Sequence, residues 1–379
     1  MTNKFYPKKK QIILDNGERA EATCPLVVSA SRSTDIPAFY ISWFMQRLKV
    51  GYSLWHNPFG GKSYVCYDNT KFIVFWSKNP KPLLEPLTKL HGLTPLEYIK
   101  EKGISCYIQY TLNDYCNEGY EAGIRDSLGG RIETFKQLVE KLGKGAVIWR
   151  FDPLILTDKI NIEVLISKIS NLGEQLKGYT EKLVFSFIDI MNYAKVKRNL
   201  KRKHINWIDW TQKKMHEFSA KLVLMNQELG WNYELATCGE LVKLPGIEHN
   251  HCVDDRLLVR FGNQSPELMN YLQAEIIEQK QEKRITQLSL LNDQQINSQI
   301  NIPEGAFPIG NGKYAIIKGD NRHIGMRTAC GCMKSKDIGQ YNTCPHQCVY
   351  CYANTNEAVA IKNWRQHRDN ANADTIIGA

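Results

Sequence analysis

The chain has 379 residues, 43% of them hydrophobic, enough for one large domain or two ordinary ones with buried cores. No apolar run reaches the length of a membrane helix, and Met1 to Lys10 is polar and lysine-bearing, so the expectation is a cytoplasmic protein with no secretory signal and no membrane partner. The net charge of +10 permits an anionic partner without demanding one. Eleven cysteines, an odd number and clustered, fit metal-bound thiolates in a reducing compartment better than a disulfide framework.

In chain order, Lys10 to Ala30 reads as a hairpin around Asp15-Asn16-Gly17. Six apolar, strand-like runs follow: Leu26 to Ala30, Phe72 to Trp76, Cys106 to Tyr110, Ala146 to Trp149, Leu183 to Phe187 and Glu234 to Thr237. Helix candidates lie between them at Phe39 to Leu48, Pro95 to Lys102, Ile132 to Leu142, Ile162 to Leu176 and Ile205 to Leu229. This alternation predicts an α/β fold with a parallel sheet. Six units are too few for an eight-fold barrel, so the expected form is an open, partial (β/α)6-type TIM-like barrel.

The basic run from Lys195 to His204 reads as a solvated loop, since no aromatic residue is interleaved in it. Residues 263–313 are rich in Gln and Asn and read as a polar insertion, with a helix candidate at Met269 to Ile285 and a flexible loop at Leu291 to Asn301. The expected organisation is therefore a barrel portion with its hairpin at 1–262, the insertion at 263–313 and a cysteine-bearing unit at 314–379 that completes the barrel.

Five runs end in polar clusters, namely Ser29 to Asp35, Ser77 to Pro80, Thr111 to Asn113, Arg150 to Pro153 and Thr237 to Glu240. Each alone is ordinary turn chemistry, but carboxyl ends of parallel strands are where such folds place their sites. The densest chemistry lies at Cys344, Cys348 and Cys351, spaced C-x3-C-x2-C, with Tyr350 before the last cysteine. Three thiolates on one short loop can hold three corners of a 4Fe–4S cluster and leave the fourth iron open to an amine and a carboxylate. A zinc site would instead pair C-x2-C or C-x4-C with a second pair elsewhere.

This run resembles the cluster motif of the radical S-adenosylmethionine (SAM) superfamily, although about 340 residues precede it here. SASRSTDIP, residues 29–37, is similar to a strand that follows the cluster motif in relatives of the spore photoproduct lyases. The reversed order resembles a circularly permuted radical SAM barrel. Over almost its full length the chain also resembles an uncharacterised bacterial family with a C-terminal cysteine cluster, through SASRSTDIPAFY, NPFGG, FWSKNP, RFDPL, ATCGE, CVDD, CGCMKSKDIGQY and CPHQCVYCYAN.

The resemblance implies a 4Fe–4S cluster on Cys344, Cys348 and Cys351, SAM on the open iron, and a reducing partner such as flavodoxin or ferredoxin. Tyr350 matches the aromatic position beside the adenine. Acceptors for the SAM ammonium are offered by Ser31, Ser33, Thr34 and Asp35. Lys78 and Arg150 are candidates for its carboxylate, and Ser77, Asn79, Asn113 and Asp152 are further strand-end polar groups, the last three suited to ribose hydroxyls. An ion pair of Arg150 with Asp152 is the structural alternative.

Cys238, Cys252, Cys330 and Cys332 remain, the number that a second 4Fe–4S cluster or a zinc ion needs, with His249 and His251 as spare ligands. Cys24, Cys66, Cys106 and Cys116 read as core thiols. Two functions follow. One is a radical SAM enzyme on an unidentified substrate, with nucleic acid or a nucleotide favoured by charge and by the lyase resemblance. The other is an iron–sulfur or zinc protein that binds nucleic acid without SAM chemistry. A passive electron carrier would need a fourth ligand such as His346.

Overall fold

Side chains alternate between the two faces of a strand, and continuous apolar runs imply that both faces are covered. The computed structural model, which describes residues 7–57, 59–277, 302–323 and 330–378, bears this out. The central strands are β1 (Val27–Ala30), β2 (Phe72–Ser77), β3 (Ser105–Thr111), β4 (Val147–Leu154), β5 (Lys182–Phe187), β6 (Glu234–Thr237), β7 (Glu248–His249) and β8 (Lys336–Asp337). They form one all-parallel sheet in the order β7-β6-β5-β4-β3-β2-β1-β8.

On one face Ile73, Phe75, Ile108, Trp149, Phe151 and Phe185 pack against the crossover helices, among them Ile41–Val50, Leu128–Leu142 and Ile162–Leu176. In the last of these, Leu165, Ile169 and Leu172 face the core at helical spacing. On the other face Val27, Phe72, Val74, Tyr107, Ile148 and Val184 meet helices Asp255–Phe261 and Pro266–Leu272 and a small antiparallel sheet of Ala274–Ile277, Lys313–Ile317 and Phe307–Gly310.

The fold class is thus α/β, but the expected (β/α)6 barrel is not formed, and its permuted version falls with it. The sheet is open, with eight strands rather than six. Strands β7 and β8 are two residues long, too short to leave an apolar run or an alternation in the sequence. Residues after β7 then cross the second face, where Tyr107 Oη and Gln109 Nε2 donate to the Cys252 carbonyl at 2.8 and 2.9 Å. Strand β8, near the C-terminus, pairs with β1, near the N-terminus.

Other expectations are corrected in detail. Lys8–Ile13 and Arg19–Cys24 do form the hairpin, but in a separate four-stranded sheet, while Val27–Ala30 belongs to the main one. The basic run is mostly helix, Ala194–Arg202, because Val196 and Leu200 bury one side of it. The following helix starts only at Gln212. The helix candidate at Met269 to Ile285 is instead helix Pro266–Leu272 and strand Ala274–Ile277, broken at Gln273 by a left-handed φ of 52°. Its remainder, and the loop expected at Leu291 to Asn301, lie outside the described residues. Cys24, Cys66 and Cys106 are buried as core thiols, whereas Cys116 is exposed. Among the described residues no helix is long and apolar enough to cross a membrane.

Candidate functional site

In open parallel sheets the carboxyl ends of the strands are the usual ligand-binding edge. The loop bearing Cys344, Cys348 and Cys351 lies across the ends of β1, β2 and β3. At β1, Tyr40 Oη donates to the Thr343 carbonyl at 2.5 Å, and His346 Nε2 meets Asp35 Oδ2 at 2.7 Å. Asp35 also accepts from Ser77 Oγ and Lys78 N, each at 2.7 Å, and from Ala38 N at 2.9 Å, so one buried carboxylate ties the ends of β1 and β2 to the loop. Beyond β3, Val349 N donates to the Tyr120 carbonyl at 3.0 Å and Gly123 N to the His346 carbonyl at 2.8 Å.

Gly123 is there because nothing larger fits: a Cβ would lie 2.3 Å from the Pro345 carbonyl oxygen and 2.6 Å from the His346 carbonyl carbon, both backbone atoms. Gly123→Ala is therefore expected to displace the cysteine loop at a cost of about 1–3 kcal/mol. Chemical denaturation would show the loss, and reconstituted protein would retain less metal on Cys344, Cys348 and Cys351. Wild-type values for both would disprove the close approach.

A polar group, buried except for the half-buried Lys78, stands beside Cys348. Lys78 Nζ lies 2.7 Å from Glu121 Oε1 and donates to Tyr350 Oη at 3.1 Å. Asn113 Nδ2 donates to Glu121 and to Tyr350, each at 3.1 Å, and Tyr350 Oη donates to Glu121. Arg131 NH1 is 4.0 Å from the other Glu121 oxygen. Burial alone would raise the Glu121 carboxyl, but Lys78 and then Arg131 hold it below its ordinary value. Burial likewise opposes the Lys78 ammonium, and Glu121 and Cys348 overcome it and hold it above its ordinary value. Burial is the first cause that pushes the Cys344, Cys348 and Cys351 thiols up, so an iron or other cation must offset the cost of ionising them.

The second cysteine set also comes together. Cys238 at the end of β6 has its Sγ 3.2 Å from Cys252 Sγ, and Cys252 N donates to Cys332 Sγ at 3.2 Å. Cys330 is hydrogen-bonded to Cys332. Asn250 Nδ2 and Arg150 NH1 donate to Cys252 Sγ at 3.1 and 3.5 Å. The Trp76 ring is met by two guanidinium groups, Arg32 at 5.3 Å and Arg150 at 5.4 Å from its centre. Hydrogen bonds among the thiols hold Cys252 and Cys330 below their ordinary values, with Arg150 and Arg32 helping at Cys252, and push Cys238 and Cys332 above theirs, so a bound metal would have to ionise the latter two.

The strand-end candidates thus divide. Lys78, Asn113 and Tyr350 converge on the first cysteine loop, and Asp35 and Ser77 position that loop. Asn79 donates to Asp126 at 2.8 Å. Ser31 Oγ donates to Asp337 at 2.8 Å and contacts Ser33 Oγ at 3.1 Å, while Thr34 Oγ1 is buried with no hydrogen-bond partner among the described residues. Arg150 pairs with Asp152 at 2.5 Å and faces the second cysteine set rather than the first. Asp152 N also donates to Asn113 Oδ1 at 2.8 Å, which links the two sets. Glu121, Asp337 and Trp76 are missed by sequence reasoning. Glu121 sits in a long β3-to-helix connection, and only its burial shows its role.

Fold and site together define an α/β protein with two cysteine groups, one at the carboxyl edge of a parallel sheet and one against the sheet's second face. Residues 27–353, which include both groups, match the family model described as a domain of unknown function (DUF1848), and the chain belongs to that family. No curated protein matches the chain.

Proposed function

We propose that the chain is a radical SAM enzyme. The observation that carries this reading is the seating of three thiols of one loop over the ends of β1 to β3, beside the ion pair of half-buried Lys78 with buried Glu121. The loop fits a cluster in a further respect, since Cys351 Sγ accepts from Asn354 N at 3.3 Å, the kind of N–H···S bond that tunes thiolate-bound iron. A 4Fe–4S cluster on Cys344, Cys348 and Cys351 supplies, when bound and reduced, the cleavage of SAM to a 5'-deoxyadenosyl radical. The chain's own residues bind and orient. Lys78 and Glu121 present an ammonium and a carboxylate side by side, the complement of the amino-acid end of SAM. Asn113 and Tyr350 fix that pair, and both are buried with Glu121, which limits water at the carboxylate.

Cys238, Cys252, Cys330 and Cys332 form a closed four-thiol set, suited to a second 4Fe–4S cluster or a zinc ion, which metal analysis would tell apart. The substrate class favoured is a nucleic acid or nucleotide, and the electron source a flavodoxin or ferredoxin.

Anaerobically reconstituted protein, reduced with dithionite and given SAM, should yield 5'-deoxyadenosine on chromatography. A full, reducible cluster that neither binds SAM nor yields product would replace this reading with a structural iron–sulfur or zinc protein.

A further inference from the structure

The basic run from Lys195 to Lys203 carries six cations and no acidic residue, and the fold gives it the aromatic neighbours that its own stretch of sequence lacks. Helix Ala194–Arg202 buries Val196, Asn199 and Leu200, and Asn199 Nδ2 donates to the Cys351 carbonyl at 3.4 Å, so the helix lies against the end of the cysteine loop. At the helical repeat its opposite side presents Arg198 and Lys201, both exposed, with Lys195 and Lys197 half-buried on the flanks. Glu357 partly neutralises Lys203 and Arg202, at 3.0 and 4.0 Å. Lys195, Lys197, Arg198 and Lys201 have no ion pair among the described residues.

Three tyrosines border these cations. Lys195 Nζ stands 5.3 Å from the centre of the Tyr341 ring, and Tyr193, at the start of the helix, meets Tyr352 with ring centres 5.8 Å apart. Tyr352 directly follows Cys351 and is 44% exposed. Its Oη donates to the Arg32 carbonyl at 2.8 Å, which tethers the ring just beyond β1, and the Tyr193 ring is inclined at 45° to it rather than stacked upon it. A ring held by its hydroxyl and open to solvent is suited to stacking. Tyr350, in the group assigned to SAM, and Tyr352 flank Cys351 in the chain, so this ring begins one residue beyond the cysteine loop. The acidic groups nearby are engaged, Asp337 by Ser31 Oγ and Arg32 N, Asp152 by Arg150, and Asp189 by Asn192.

We propose that this face binds a single-stranded nucleic acid, with a base stacked on Tyr352 and successive phosphates on Lys195, Arg198 and Lys201. Bases inside a duplex are stacked on one another and offer no face to a lone ring, so the aromatic contact selects a single strand. A free nucleotide would occupy the ring and leave the cations along about 13 Å of helix unused. An acidic protein would use the cations and leave the ring without a role. That the strand is the substrate rests on the radical SAM reading, whereas its binding does not.

Fluorescence anisotropy of the full chain with a labelled single-stranded oligonucleotide, as DNA and as RNA, should show binding that weakens steeply as salt rises. Tyr352→Ala should weaken it by about tenfold, and Tyr352→Phe, which keeps the ring, should restore most of it. Arg198→Glu combined with Lys201→Glu should weaken it by about tenfold or more and flatten its salt dependence. Lys141→Glu, by the amino edge of the sheet, should change neither. All four positions are exposed, and thermal melting checks that the variants stay folded. Wild-type binding by Tyr352→Ala and by the double variant would overturn the proposal. So would a matching duplex, a mononucleotide or a polyglutamate chain that binds as tightly as the single strand. A chain that binds the strand but loads no iron would sink the radical SAM reading and leave this surface standing. A chain that forms 5'-deoxyadenosine but binds no strand would do the reverse.

Discussion

Cys348→Ala is expected to lose about four irons per chain and to reduce 5'-deoxyadenosine formation to background. Of the three loop cysteines, Cys348 is nearest the polar group. It helps to hold the Lys78 ammonium in its charged form, and its backbone pairs with Glu121 as an isolated bridge. Loss of this thiol leaves two ligands, too few to retain a cluster that three protein thiolates hold. Cys238→Ala provides the contrast. It should remove metal from the second set, whose Cys252 contacts Arg150 across 3.5 Å, and leave the first loop's anchors to Asp35 and Tyr120 in place. Iron and zinc analysis with electron paramagnetic resonance of the two variants would separate the sites. Equal metal loss in both would mean that the sets do not load independently.

The contrast works because the two sets occupy different parts of the fold, which the sequence shows only in part. The C-x3-C-x2-C run is local, so its thiols, Tyr350 and the loop are visible in one stretch. The long strands are equally visible, because residues such as Phe72 to Trp76 are buried on both faces and form a continuous apolar run. The sheet edges are hidden. A two-residue strand such as Lys336–Asp337 has no periodicity, and its place beside β1 depends on Asp337, which accepts from Ser31 Oγ and Arg32 N, each at 2.8 Å, across some 300 residues. The strand-end clusters do not converge on one place: those of β1, β2 and β3 meet the first cysteine loop, and those of β4 and β6 meet the second set. Arg150 and Lys78 look alike as cations in sequence, yet Lys78 meets Glu121 and Arg150 meets Asp152 and Cys252. Pairings of that kind arise from packing, and no spacing rule encodes them.

Glu121→Gln is expected to destabilise the protein by about 3 kcal/mol, because it leaves the Arg131 guanidinium buried, and the Lys78 ammonium half-buried, without their nearest counter-charge. Glu121 is 8% exposed, and Arg131 only 1%, with its Nε and NH1 lacking other hydrogen-bond partners. Water therefore cannot substitute for the lost charge at Arg131, while the Lys78 side chain, 16% exposed, keeps partial access to it. Removing the cation as well should restore part of the loss. Lys78→Met combined with Glu121→Gln should cost less than the two single changes added, by about 0.5–3 kcal/mol, in a denaturant double-mutant cycle. The pH dependence has a definite sign. Glu121 is held below its ordinary value in the folded state, so its contribution is present above the unfolded carboxyl pKa and is lost as pH falls through the folded one. Wild-type stability should decline on that acid limb, and Glu121→Gln should lack this component. Strict additivity in the cycle, together with identical acid limbs, would show that the pair is uncoupled and would remove the physical basis for assigning it to the zwitterionic end of SAM.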